Sequence, residues 1–224
     1  MRVCQDVEVD NAEKPYAGKL SNERRADRRA RLVEAGTDLL GTEGTAATSV
    51  RAVCARAGLS SRYFYESFNN LDALLVAVFD ELMAQTIDRS VANLQIGTEL
   101  SLESVLTALG RSFADTAAHD PRALRIGFLE AWNSEAVMRR RVHWLHRTAR
   151  NLSRFACADA GVPDERRGAV DVAAFMVVGG LLEAVLGALD GSLNVELEDL
   201  VPHFVPAAHA AINQATHAAC NQSP

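Results

Sequence analysis

Apolar residues recur at spacings of three and four along most of this chain, and no run alternates long enough to make a strand. The pattern predicts an all-α protein. A first helix is expected over about 22–42, where Leu32, Gly36, Leu39 and Leu40 fall at i, i+4, i+7 and i+8. Gly41 and Gly44 are its stop signals. Thr48 is expected to cap a short second helix that turns Val50, Val53, Cys54 and Ala57 inward, with Gly58 ending it. Ser60 is expected to cap a third helix reaching about Phe68. Asn70 is expected to cap a long fourth one with Leu74, Leu75, Val78, Leu82 and Ile87 on its apolar face. More helices are expected over roughly 101–118, 121–132, 134–160 and 165–189. Pro202 and Pro206 either precede a last helix or kink it. Residues 1–20 are polar and aperiodic, contain Pro15 and Gly18, and are expected to form a disordered arm.

The stretch AGLSSRYFYESFNN, Ala57 to Asn70, concentrates the aromatic residues. Tyr63, Phe64, Tyr65 and Phe68 lie here in a chain with only 8 Phe, 3 Tyr and 2 Trp. A helix advances about 100° per residue. With Phe64 at zero, Phe68 lies at about 40° and Ser61 at about 60°, on the inner side. Arg62 and Glu66 lie opposite, flanked by Tyr63 and Tyr65. Such a helix buries two phenyl rings and displays an arginine between two phenols. Arginine can contact guanine O6 and N7, and tyrosine can bond phosphate or base edges. Taken alone, the helix also fits a plain core element with an Arg62–Glu66 surface pair. The arrangement around it shifts the balance, because two short capped helices joined by a Gly-containing turn have helix-turn-helix spacing.

Charge supports a local rather than a global basic surface. The chain carries a net charge of −6, yet residues 19–75 are net positive. In ERRADRRAR, Arg24, Arg28 and Arg31 share one side of the first helix and form a candidate phosphate clamp. The alternative is a solvated helix start with Glu23 and Asp27 paired to arginines.

TSVRAVCARAGLSSRYFYESFNNLDALLVAVFDEL, with the preceding RLVEAGTDLLGTEG, resembles the DNA-binding region of the TetR family of bacterial transcriptional regulators. The likeness covers about Arg28–Leu82. Thr48, Val50, Val53, Ala57-Gly58-Leu59-Ser60, Phe64, Tyr65, Phe68 and the Asn70–Leu75 region match in order. The resemblance implies a phosphate contact for Tyr65 and a capping, phosphate-contacting role for Thr48. Arg62 and Tyr63 stand where Gly and Thr are common, which points to a different operator. Ser67 replaces a frequent ring, and Leu71 replaces a lysine often used on phosphate.

The expected organisation is an arm over 1–20, a three-helix helix-turn-helix domain over 21–70, and a larger helical ligand-binding and dimerisation domain over 71–224. The DNA-contacting candidates are Arg24, Arg28, Thr48, Ser60, Ser61, Arg62, Tyr63, Tyr65, Asn69 and Asn70. A ligand pocket is expected among Phe113, Phe128, Trp132, Met138, Trp144, Phe155, Phe175 and Met176, the large soft side chains of the central helices. Gly179, Gly180, Ala184 and Gly187 allow close helix approach and are candidates for a dimer face. An ordinary buried helix within one subunit explains them equally well.

The resulting expectation is a dimeric, ligand-responsive repressor that binds a double-stranded palindromic operator and is released by an apolar or aromatic small molecule. A sensor, an adaptor or an activator of the same fold is the alternative. No catalytic set, phosphate loop or HExxH is visible, so an enzyme is disfavoured. No cofactor is implied. His143 and His146 have a spacing that can hold a metal, but without a nearby acidic or thiol partner they read as a polar helix face. Cys4, Cys54, Cys157 and Cys220 form no disulfide framework, which fits a reduced cytoplasm. Asp6, Glu8, Asp10 and Glu13 occupy the place of a signal peptide's apolar core, so none is expected. The longest apolar run, Val172–Leu182, is too short to span a membrane.

Overall fold

The computed structural model describes residues 16–94 and 100–221, apart from the side chains of residues 16–21, 131 and 132. Among the described residues there are nine α-helices and no strand. They are α1 (Tyr16–Thr42), α2 (Val50–Ala57), α3 (Ser61–Ser67), α4 (Leu71–Asn93), α5 (Leu102–His119), α6 (Pro121–Leu124), α7 (Glu135–Ala160), α8 (Gly168–Asp190) and α9 (Leu200–Asn221).

The apolar stripe of α1 is buried as its spacing requires: Leu32, Leu39 and Leu40 all face the core. Gly36 has a steric role. A Cβ there would lie 3.1 Å from Val78 Cγ2 and 3.3 Å from Leu74 Cδ2, so its absence lets α1 lie close on α4. Asn70 caps α4 as expected, its Oδ1 accepting from Ala73 N at 2.8 Å.

Several boundaries differ from the sequence pattern. Helix α1 begins at Tyr16, so residues 16–20 are helical rather than part of an arm, while residues 1–15 lie outside the described set. The expected helix over 121–132 holds α-geometry only to Leu124. It then widens into a π-turn, Arg125–Leu129, and tightens into a 3₁₀ turn, Glu130–Asn133. The last helix begins at Leu200 and contains Pro206. Pro202 falls in its first turn, where no helical N–H is needed.

Helices α7, α8, α9 and α5 pack into the body, and α4 joins it to the three-helix head. Taken as a whole, α8 is longer than its unbroken apolar run, and by length and composition it could cross a membrane. It packs between α7 and α9, with 44% of its most apolar window buried in the protein. One apolar core runs from Leu32, Val53, Phe64 and Phe68 in the head, through Leu74, Val78 and Phe79, to Phe113, Phe128, Trp144 and Leu181 in the body.

Phe64 is 0% exposed and has Phe68 as a ring neighbour at 5.8 Å. Phe64→Ala is expected to cost about 3–5 kcal/mol, measured by urea unfolding of the whole chain. An unchanged unfolding midpoint would mean that this ring does not anchor the head.

Candidate nucleic-acid interface and effector body

The turn between α2 and α3 begins with a helix stop. Gly58 adopts φ 63° and ψ 37°, a left-handed conformation that glycine reaches without a Cβ clash. Arg31 on α1 closes over this turn and donates to the Ala57 carbonyl at 2.7 Å. Ser60 stands at the N-cap of α3, but its hydroxyl makes no capping bond.

The cap of α2 is Ser49, whose Oγ accepts from Ala52 N at 3.2 Å. Thr48 is therefore neither the cap nor an outward contact. It is buried, and its hydroxyl donates to the Gly44 carbonyl at 2.9 Å. Thr48 instead closes a short 3₁₀ turn, Thr45–Ala47, its N–H donating to the Thr45 carbonyl.

On α3 the two faces separate sharply. Phe64 and Phe68 are buried, whereas the Arg62 side chain is 84% exposed and Tyr65 is 60% exposed. Tyr63 is exposed as well. Ser61 is also exposed, not turned inward, because the first turn of α3 projects beyond the core. Ser60, Asn69, Asn70 and Arg24 are exposed.

The basic cluster on α1 braces this surface instead of standing apart from it. Glu66 gathers three arginines: Arg62 Nε donates to its carboxylate at 3.1 Å, Arg28 lies 3.8 Å away, and Arg25 donates to its carbonyl at 2.8 Å. Arg28 also lies 4.6 Å over the Tyr63 ring, and Arg29 lies 4.8 Å over Phe68. Sequence spacing showed the cationic side of α1 but not the carboxylate it meets on α3.

In the body, Phe113 meets Phe128 at 5.9 Å and Trp144 at 6.4 Å, both edge-on. Arg141 is buried beside them, 5.7 Å over Phe128. Burial lowers the pKa of this guanidinium, and the charge of Glu183 opposes that shift. Met138, Phe155 and Phe175 are half-buried, and Phe175 stacks on His146 at 5.1 Å. Met176 does not belong to this group. It is 71% exposed beside Val172, on the outer side of α8. The Trp132 side chain lies outside the described set.

A cleft of about 220 Å³ opens between α4, α5 and α7, and one of about 230 Å³ adjoins it between α4 and α7. Gly179 and Gly180 have open space where a Cβ would stand. Gly187 instead faces its own chain, 3.0 Å from Leu193 Cβ, and Ala184 packs on the core. Neither therefore shares the outer side of α8.

Sequence spacing also missed how the body holds the head. Glu130, in the turn after α6, accepts from both the N–H and the hydroxyl of Thr45 at 2.8 Å. Arg122 on α6 contacts Asp38 at 3.3 Å and Glu34 at 3.6 Å on α1. Asp38 in turn pairs with Arg56 of α2. Burial opposes the charge on Glu130, but the bonds from Thr45, Arg125 and Asn133 outweigh it and hold its carboxyl below the usual glutamate range. The hydrogen bond from Arg122 likewise holds Asp120 below the usual aspartate range. These partners are 84 and 85 residues apart, so no local pattern announces them.

A short helix turned outward from a three-helix head, on an all-helical body with clefts in its side, defines a helix-turn-helix fold. Residues 32–78 match the family described as bacterial regulatory proteins, tetR family. No curated protein matches the chain. Solved structures share its fold. The fatty acid degradation regulator FadR from Bacillus halodurans is 18% identical, with a TM-score of 0.65 over 81% of this chain and 94% of that one. A TetR-family regulator from Syntrophomonas wolfei is 17% identical, with a TM-score of 0.66 over 84% and 96%. The multidrug binding protein EbrR, solved with imidazole, is 19% identical, with a TM-score of 0.60 over 86% and 92%. The matched segment runs from Leu32 on α1 through α2 and α3 into the first half of α4, so the family likeness in sequence lies in the head.

Glu130→Gln keeps the shape of the bridge to Thr45 but removes its charge. It is expected to cost about 1–2 kcal/mol at pH 7. Because the folded pKa of Glu130 is depressed, its contribution is complete above the unfolded value of about 4.3 and fades as pH falls through the folded one. Thermal unfolding of both proteins across pH should show the gap closing in acid.

Proposed function

We propose that the protein is a dimeric, ligand-responsive repressor in the cytoplasm, with no catalytic role. It binds a palindromic operator through the outer face of α3 and releases it on binding an apolar or aromatic small molecule. The observation that carries this reading is the outward face of α3. It presents Arg62, Tyr63 and Tyr65 together while two phenyl rings hold the helix from behind. A single α-helix fits the major groove. Arg62 supplies the bidentate guanine contact, and Tyr65, with the exposed residues Ser60, Ser61, Asn69 and Asn70, supplies contacts to the backbone.

A dimer suits this task, because two such helices about 34 Å apart reach successive turns on one side of the duplex. The outer side of α8 is the candidate subunit face, with Val172 and Met176 exposed above the open surfaces of Gly179 and Gly180. The effector would act by population shift, binding one spacing of the heads better than the other. The Glu130–Thr45 and Arg122–Asp38 contacts supply a physical route, since they tie the segments on either side of the body's π-turn to α1 and the turn before α2.

A gel shift on the gene's own upstream DNA, with a salt titration, tests the reading. Binding to an inverted repeat with a steep salt slope is expected. No shift on that DNA or on genomic fragments would leave a sensor without an operator. Arg62→Ala is expected to weaken operator binding by about 1–3 kcal/mol and relax preference at one base per half-site. Equal weakening on every sequence would make Arg62 a phosphate contact. Tyr65→Phe is expected to lower affinity while leaving the selected motif unchanged, as read by selection from random duplexes.

A further inference from the structure

We propose that the two clefts beside Trp144 form one binding site for an amphipathic carboxylate, with its apolar chain between α4, α5 and α7 and its anionic head at Arg147. This deepens the effector reading above and rests on it only for the consequence of binding. The two clefts share Ile87, Trp144 and Arg147, so they adjoin along the α4–α7 seam. The first is walled by Ile87, Val91, Leu94, Leu109 and Trp144, which suits a hydrocarbon chain. The second is lined by Arg140, His143 and Arg147, with Asp80 as its one carboxylate.

Charge decides where the head of the ligand goes. Asp80 already pairs with Arg140. Arg147 is exposed and makes no hydrogen bond or ion pair among the described residues, so its guanidinium is available to a ligand where the clefts adjoin. A guanidinium presents two parallel N–H donors that match a carboxylate. A second, independent observation comes from Trp144. Its indole is 7% exposed, it lines both clefts, and its Nε1 has no hydrogen-bond partner. A buried donor left unpaired is costly, so a small shift of the indole that brings Nε1 to a ligand oxygen in the cleft would relieve it.

Octanoate and octanol, equal in chain length and different in charge, provide the test. Trp144 becomes the sole indole in Trp132→Phe, so its fluorescence reports binding without any DNA. Octanoate is expected to bind at least about tenfold more tightly than octanol, and Arg147→Ala to abolish that preference while leaving octanol unchanged. Arg147→Lys, which keeps the charge but not the paired donors, should retain part of it. Equal affinity for the two probes, a preference that survives Arg147→Ala, or tighter binding of octyl phosphate than of octanoate would overturn the proposal. Operator binding is measured separately. A chain that binds octanoate but no DNA keeps this site and loses the repressor reading, while one that shifts DNA but ignores octanoate does the reverse.

Discussion

One apolar cluster is shared by the head and the body, and the rest of the structure depends on that continuity. Leu74, Val78 and Phe79 of α4 are buried in contact with one cluster that reaches Phe64 on one side and Phe113, Phe128 and Trp144 on the other. Interiors packed this tightly deform in discrete steps, not smoothly. A wedge entering beside Trp144 therefore cannot be absorbed locally without disturbing α4. The apolar packing runs without a seam across the boundary expected at residue 70.

Polar contacts add direction to that coupling. Glu130 and Arg122 reach α1 and the turn before α2 from the same short stretch of chain that carries Phe128. The π-turn places Ile126, Gly127 and Phe128 in the core and Glu130 at the head within five residues. Such widened turns recur at functional sites because they re-aim side chains that a regular helix would fix. Here the same turn joins the aromatic cluster to the three-helix head.

The sequence made some of this legible because the signals were local. The orientation of α3 followed from the 100° step between residues, and the cap on α4 from one asparagine before a periodic run. Gly58 marked the turn because a left-handed backbone there favours glycine. The misses share a different cause. Thr48 and Ser49 are both good caps, and only the 3₁₀ turn before them decides which one faces the helix end. Met176 has a core residue's chemistry, but its position on α8 turns it outward. The brace between α1 and Glu66, the hold on Thr45 and the cationic cleft at Arg147 all depend on residues brought together from distant parts of the chain. No periodicity encodes those meetings.

Glu66 has a further consequence. Its carboxylate accepts from the guanidinium of Arg62, much as a nucleic-acid oxyanion would. Under the proposed reading of α3, random duplex offers that arginine little more than an exchange of one anion for another, whereas a correctly placed guanine offers two matched acceptors. On that reading, an internal competitor of this kind would shorten dwell time on irrelevant sequence while sparing the cognate site, so that selectivity would come from faster departure rather than tighter capture.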